Sequence, residues 1–340
     1  MSGGVDSSLS AALLVEQGYD VVGVFIKVWQ PDFIECTWKE DRLDAMRVAA
    51  ELNIPFITLD LEKEYKQGVI DYMLKEYESG RTPNPDVMCN REVKFGAFWK
   101  WAKEQGADFI ATGHYARTNG RELLMSKDKN KDQTYFLWML SDQDLPHVLF
   151  PVGDMTKDIV RKEARTRGLY TSEKKDSQGL CFVGDVDLKT LLKEYISEKK
   201  GVVRDESGNV IGTHHGVMFY TIGERRGFTI TERSIDDKPY YVINKNSSSN
   251  ELTVSHTPPK KKLHEDILLE GVNWIHGEPR DGFTYEARGR YRAPLAKISL
   301  AKKNDAWHAS LLEGELVSTP GQSFVVYDKE KCLGGGLIVY

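Results

Sequence analysis

Cysteine is scarce in this 340-residue chain: Cys36, Cys89, Cys181 and Cys332 lie far apart and form no CxxC pair. A disulfide framework and a thiolate zinc cluster are thereby excluded, and a reducing compartment is implied. The cytoplasm is the expected location. No apolar run approaches the ~20 residues that cross a bilayer, so no membrane partner is expected. Glu16 and Asp20 interrupt the first apolar stretch, which lacks a basic leader and is not a cleavable signal peptide. An excess of positive charge is also missing, with 46 basic against 51 acidic residues and a net charge of -5. A protein that coats nucleic acid non-specifically is excluded, and any RNA must be held by local basic patches. Nowhere do His, Cys, Asp and Glu take metal-ligand spacing, internal repeats are absent, and low complexity is confined to NSSSN at 246–250.

What remains is an ordinary globular composition, 40% hydrophobic and 29% charged, in a chain long enough for two or three domains. The first part, 1–185, alternates helix and strand signals, as a parallel sheet covered by helices does. SSLSAALLVEQG places Leu9, Ala12 and Leu13 on one helical face, with Gly18 as its stop. VVGVFIKV at 21–28 is a continuous apolar run of the kind buried on both faces. Helix around DRLDAMRVAAEL, strand PFITLDL, a helix ending at Gly80, a Pro-rich loop, helix EVKFGAFWKWAKEQG and strand ADFIATGH follow. Thr156 is placed to cap a further helix that ends at Gly168. Residues 186–257 read as a small mixed module: a helix around LKTLLKEYISEKK, then DESGNVIG as two short strands about a glycine turn. Residues 258–340 carry only short strands separated by turn residues, the pattern of a small β-barrel.

The chain opens on MSGGVDSS. A glycine-rich loop that starts a helix offers backbone N–H groups and a positive dipole end, which suits phosphate. No GK[ST] follows, so this is not the P-loop of kinases and GTPases. SGGVDSS is instead similar to the PP-loop of the ATP pyrophosphatases, whose fold is an α/β domain of the adenine nucleotide alpha hydrolase kind. That resemblance assigns Ser2, Gly3, Gly4, Val5, Asp6, Ser7 and Ser8 to ATP, with Mg²⁺ expected beside it. In that family an apolar strand precedes the loop in the middle of the sheet. Here the first strand is missing, so either the start lies upstream or the chain is shortened, and an upstream extension is expected to stabilise it.

The stretch GRTPNPDVMCNREVKFG carries Asp86 and Cys89 on a proline-stiffened loop running into a helix expected to begin near Glu92. A thiol near a helix N-terminus, beside Arg91 and Lys94, is biased toward thiolate. Taken alone, Cys89 reads equally as an inert buried residue. Cys181, in KKDSQGLCFVG, makes the two loop cysteines candidates for a reactive pair brought together by the fold. Cys36 and Cys332 read as structural.

NPDVMCN, KKDSQGLCF and SGGVDSS, in company with ATGHYAR, KDQTYF, YTIGERRGF, RYRAP, TPGQS and CLGGG, resemble the tRNA-specific 2-thiouridylases along essentially the whole chain. The resemblance implies ATP-dependent replacement of the 2-oxygen of the wobble uridine of tRNA by sulfur. It assigns a persulfide to Cys181, the partner nucleophile to Cys89 and a Cys89–Cys181 disulfide at the end of each turnover. Asp86 takes the role of general acid/base. A route in which Cys89 releases hydrosulfide stays open. Ile26, where the family often has Met, and Gly113 line the adenine and ribose pocket; Asn84, Pro85 and Asp86 meet the target base. His114, Lys131, Asp132, Gln133, Arg290, Tyr291 and Gln322 touch tRNA. A cysteine desulfurase or sulfur-relay protein is the implied donor. Read for itself, ARGRYRAPLAK interleaves arginine with tyrosine, which suits phosphate contact and base stacking. RKEARTR at 161–167 reads as a solvated helix face. Two other functions remain: a PP-loop synthetase acting on a small molecule, and a catalytically impaired tRNA-binding or sulfur-carrying protein.

Overall fold

A computed structural model describes residues 1–33, 38–175, 188–231, 238–258, 266–316 and 319–339. Cys36 and Cys181 lie outside the described residues. Helix α1 (Val5–Glu16) starts directly after the opening loop. Its Leu9, Ala12 and Leu13 pack with Val48, Val152, Val160 and Ala164 into one apolar cluster. Strand β1 (Gly23–Lys27) runs parallel to β2 (Phe56–Asp60), with α2 (Trp38–Glu51) as the crossover between them. Helices α3 (Glu62–Tyr65) and α4 (Tyr72–Glu78) flank a π-helical stretch, Lys66–Asp71, and the chain turns at Gly80. Helix α5 (Pro85–Met88), a second π-helical stretch at Cys89–Ala97 and α6 (Phe98–Glu104) follow without a break. Short strands β3 (Ile110–Ala111), β4 (Ala116–Thr118), β5 (Leu123–Met125) and β6 (Val148–Leu149) lead to α7 (Lys157–Thr166).

Four details differ from the sequence-based expectation. The helix carrying Asp86 and Cys89 begins at Pro85, not near Glu92. Proline fits the first helical position, where its missing N–H leaves no bond unmade, so the two residues stand on the first turns of a helix rather than on a loop. Among the described residues of the first part, the parallel strands are paired as β1–β2 and β3–β6, with no ladder joining the two pairs. Strand β2 alternates between half-buried and exposed residues because it is an edge with one partner. Thr156 occupies the N-cap of α7 without a side-chain bond, and Asp128 accepts the Lys157 N–H instead at 3.0 Å. The basic face of α7 is also less free than its charge pattern suggests: Arg161 donates to the Ser172 and Lys174 carbonyls, and Arg167 pairs with Glu16 and Glu163.

The central module holds α8 (Leu188–Tyr195) and strands β7 (Gly201–Arg204), β8 (Val210–His214), β9 (Thr229–Ile230), β10 (Tyr241–Asn246) and β11 (Glu251–Ser255), in the order β10-β11-β7-β8-β9. Its Leu191, Leu192, Val203, Val242 and Leu252 bury against Tyr65, Ile70, Met73, Cys89 and Val93 of the first part. The last part is a six-strand barrel of β12 (Ile267–Trp274), β13 (Thr284–Arg288), β14 (Ala296–Lys303), β15 (Ala306–Glu313), β16 (Ser323–Asp328) and β17 (Lys331–Val339), closed by β12 on β17. Strand β17 also pairs with β5, placing Cys332 opposite Leu123, so the β4–β5 hairpin of the first part extends the barrel's sheet. That pairing, invisible in hydrophobic periodicity, ties the first part to the barrel.

Candidate active site

The front of α1 lies against Gly113, just beyond the carboxyl end of β3, where open α/β sheets place their ligands. The Met1 amine donates to the Val24 carbonyl and seats the loop against β1. Gly3 takes the left-handed conformation at φ 73°, and a Cβ there would come 2.3 Å from the Asp41 carbonyl of α2. A Cβ on Gly113 would come 2.7 Å from the Ser7 nitrogen, so glycine after β3 keeps the front of α1 open. The loop is braced by its own hydroxyls: Ser7 Oγ donates to the Gly4 carbonyl at 3.0 Å, Ser8 Oγ to the same carbonyl at 2.9 Å, and the Ser2 N–H to Ser7 Oγ at 3.1 Å. Asp6 accepts from Tyr115 Oη at 2.8 Å and from Lys157 Nζ at 2.8 Å, which ties α1 to β4 and α7. The first-turn amides of α1 therefore face a cradle that a single methyl group would fill, a shape suited to phosphate oxygens.

Asp86 and Cys89 stand one turn apart on the helix that starts at Pro85, with Asn84 as its N-cap. Cys89 is 6% exposed and buried in the cluster that also receives Ile26 from the end of β1. Burial raises the Asp86 carboxyl above its ordinary value, against the opposing charge of Lys94. His114 is displaced the other way: burial, then the charge of Lys94, holds its imidazole well below the ordinary value and therefore neutral at neutral pH. Thr112 Oγ1 lies 2.8 Å from its Nδ1, and its ring lies edgewise to Phe150. The sequence places Lys94 beside Cys89 as a nearby charge but gives it no part toward Asp86 or His114. The π-helical stretch Cys89–Ala97, with its i→i+5 bonding, puts Cys89 and Lys94 in successive turns. Such stretches recur at functional sites.

The barrel supplies the far wall. Gln322 Nε2 donates to the Thr82 and Pro83 carbonyls at 2.7 and 3.2 Å, and the Thr82 N–H returns to the Pro320 carbonyl, so the loop entering Asn84 and Pro85 is held from the barrel. Tyr135 bonds the Ser323 carbonyl at 3.0 Å, and Asn84 bonds its ring oxygen. Tyr291 packs on Phe136 at 4.4 Å between ring centroids, while Arg290 is exposed. Lys131 and Gln133 are half-buried, and Gln133 Oε1 accepts the Tyr115 N–H at 2.8 Å. Asp132, expected at an RNA surface, is 1% exposed: its carboxylate accepts from the Ser126 N–H at 3.0 Å and from Thr134 Oγ1 at 2.8 Å. The sequence-based candidates thus divide into a crevice group (the loop, Ile26, Asp86, Cys89, Gly113, His114) and a barrel-junction group (Asn84, Lys131, Asp132, Gln133, Arg290, Tyr291, Gln322).

Cys181 lies in 176–187, outside the described residues, but both ends of that segment are placed. Lys174 Nζ pairs with Asp41 and Asp44 of α2 at 2.7 Å each, beside the glycine loop. Leu191 and Leu192, just beyond the other end, share the apolar cluster of Cys89. Cys332 is fully buried in β17, and burial pushes its thiol up to about 12, as an inert structural residue requires. Among the described residues no group of three metal-ligating side chains occurs, and no helix is long and apolar enough to cross a membrane.

An α/β nucleotide-type domain joined to a small sheet module and a closed barrel is the architecture of a tRNA-modifying enzyme family. Its models match throughout: a tRNA methyl transferase HUP domain over 1–185, a tRNA methyl transferase PRC-barrel domain over 189–256 and an aminomethyltransferase beta-barrel domain over 264–338. The tRNA-specific 2-thiouridylase MnmA of Streptococcus equi subsp. zooepidemicus is 45% identical over 99% of this chain and 93% of that protein. The protein of the same name from Oceanobacillus iheyensis is 44% identical over the same shares. The chain belongs to the tRNA-specific 2-thiouridylase family. Among solved structures, an NMN synthetase from Francisella tularensis overlays 52% of this chain and 63% of its own, with a TM-score of 0.32 and 14% identity, too slight a likeness to carry an argument.

Proposed function

We propose that this protein replaces the 2-oxygen of the wobble uridine of tRNA by sulfur, using ATP. The observation that carries the reading is a cluster of groups gathered about Lys94. Asp86 and Cys89 share the first turns of one helix, and the charge of that helix's Lys94 acts on both Asp86 and His114, beside the glycine loop. A proton-moving carboxyl and a thiol thus stand on one helix beside the loop proposed for ATP. When bound, ATP supplies the activation that makes the uracil 2-oxygen a leaving group; residues 2–8 would hold its phosphates, and Ile26 and Gly113 its nucleoside. Mg²⁺ would accompany it, with Asp6 the loop's own carboxylate.

The chain's residues then act in sequence. Asn84, Pro85 and Asp86 orient the base, and the raised Asp86 carboxyl moves a proton at the reacting oxygen. The terminal sulfur of a Cys181 persulfide bonds to the uracil C2, and the C2–O bond breaks with the oxygen leaving on AMP. The Cys89 thiolate takes the inner sulfur, the S–S bond of the persulfide breaks, and a Cys89–Cys181 disulfide closes, to be reduced before the next turn. Release of hydrosulfide by Cys89 is the alternative order. The sulfur donor is a cysteine desulfurase or relay protein, and the cytoplasm is the proposed location. Residues 1–185 form the catalytic unit, 186–257 the central module and 258–340 the tRNA-contacting barrel.

One experiment tests the thiolation directly. The full chain is incubated with ATP, Mg²⁺, a sulfide donor and an unmodified tRNA transcript, and the nucleosides are analysed by mass. Formation of 2-thiouridine that requires ATP and disappears in Cys181→Ser supports the proposal; its absence with the native chain overturns it.

A further inference from the structure

We propose that Lys157 is the cation that receives the pyrophosphate leaving group of ATP, with Asp6 and Tyr115 as the positioning residues that hold it ready. The inference rests on the reading above, in which residues 2–8 hold the phosphates, and adds the full positive charge that the glycine loop does not contain.

The glycine loop and α1 contain no lysine or arginine, whereas the P-loop of kinases carries within its motif the lysine that reaches the β- and γ-phosphates. Backbone amides and a helix dipole supply only partial charge. When the uracil oxygen bonds to the α-phosphorus, the bond to the β-phosphate breaks and its electron pair leaves on pyrophosphate. Negative charge grows there, and a fixed cation stabilises it. The fold brings one from 151 positions away: Lys157, the first residue of α7, donates through Nζ to both oxygens of Asp6, at 2.8 and 2.9 Å, on the first turn of α1. Tyr115 Oη donates to Asp6 Oδ1 at 2.8 Å, and its ring lies 5.8 Å from the ammonium. Asp128 accepts the Lys157 N–H at 3.0 Å, which pins the start of α7. Gly113 crowds the same turn, since a Cβ there would come 2.7 Å from the Ser7 nitrogen and 3.0 Å from Asp6 Cβ. The Asp6 side chain is 30% exposed and that of Lys157 12%, so the pair is open to a ligand at the front of α1 rather than closed in the core. An ammonium has three donors, and its tetrahedral head can bridge a carboxylate to a phosphate oxygen. Lys174, also beside the loop, faces two carboxylates, Asp41 and Asp44, which outweigh its charge.

The test titrates the full chain, in buffer containing Mg²⁺, with inorganic pyrophosphate, ATP and AMP by calorimetry. Lys157→Met keeps the bulk of the side chain and removes its charge. It is expected to weaken pyrophosphate and ATP about thirty-fold while leaving AMP within about two-fold of the native value. Lys157→Arg is expected to recover most of that loss. A lysine that only neutralised Asp6 would instead lower the melting temperature and change the three ligands alike. If Lys157→Met fails to fold because Asp6 is left without its partner, the double variant Asp6→Asn, Lys157→Met leaves no lone charge. The same split between pyrophosphate and AMP is then read on it against Asp6→Asn alone. An unaltered pyrophosphate affinity, or an equal loss for AMP, overturns the assignment to Lys157 and leaves the ATP reading standing. A native chain that binds neither ATP nor pyrophosphate overturns that reading itself.

Discussion

The crevice and the barrel hold their polar groups by opposite means. In the crevice, β3 is two residues long, β1 meets only β2 among the described residues, and Asp6, Asp86 and His114 are half-buried side chains from separate elements. The barrel's sheet closes on itself, and Cys332, Asp132 and Arg288 are shut within or against it. Closure removes edges and spreads each residue's support over many neighbours. A change in the crevice should therefore remove activity and spare stability, and a change in the barrel should do the reverse.

The two buried cysteines test that contrast most severely. Cys89→Ala is expected to reduce tRNA thiolation to background while moving the melting temperature by only a few degrees, since the substitution removes a single small atom from the core. Cys332→Ser places a hydroxyl at a fully buried strand position and is expected to cost about 1–3 kcal/mol of stability while retaining thiolation. Denaturation curves alongside the thiolation assay decide it; equal losses of both properties in both variants would dissolve the distinction.

Lys94→Met comes next in size, with about a hundred-fold loss of thiolation expected if its charge serves the reaction as electrostatic stabilisers commonly do. Its pH dependence gives a sharper reading. Lys94 pulls the Asp86 carboxyl down against the upward effect of burial, so removing it must move the limb governed by Asp86 to higher pH. Removal also lifts part of the depression of His114. A limb that moves to lower pH would show that Asp86 does not control the rate.

Much of this was legible in sequence, for reasons that differ by region. The glycine loop, α1 and the alternating elements follow from local periodicity and turn chemistry, so SGGVDSS could be placed before a helix by inspection. The short barrel strands were legible as a class, but their order was not, because register and closure depend on partners far away in sequence. The β4–β5 hairpin joining β17 belongs to that second kind. At the site, residue types near a motif pointed to Asp86 and Cys89, with Lys94 as a charge beside the thiol, whereas the action of Lys94 on Asp86 and His114 emerged only from the fold. Asp132 sits within a motif yet is buried, a distinction that residue identity does not carry.

Asp86 makes the smaller claim that function is held against stability. Its carboxyl is raised in the folded state, so the fold binds a proton that the unfolded chain has already released. Stability from this group is therefore greatest below the unfolded value near pH 3.9, and it is lost as pH rises from there through the raised folded value. Asp86→Asn removes the penalty, so the variant should be inactive yet melt slightly higher than the native chain at neutral pH, with the advantage vanishing in acid. A variant that melts lower at neutral pH would mean that the carboxylate is stabilised by a partner.

Gln322→Ala should show the smallest effect and is the one that joins the two regions. Its amide spans from the barrel to the Thr82 and Pro83 carbonyls, immediately before the helix that carries Asp86 and Cys89. Water can reach a half-buried amide and replace part of what is lost, so about 1 kcal/mol of stability is at stake rather than the full value of two bonds. If the barrel only steadies the fold, thiolation should follow the folded fraction and remain near native at low temperature. If the barrel also aims the proline loop, kcat should fall several-fold under conditions where the chain is fully folded, with tRNA affinity nearly unchanged. Gln322→Glu would sharpen the result, because a carboxylate cannot donate to two carbonyls and would push the loop away, lowering kcat below that of the alanine variant.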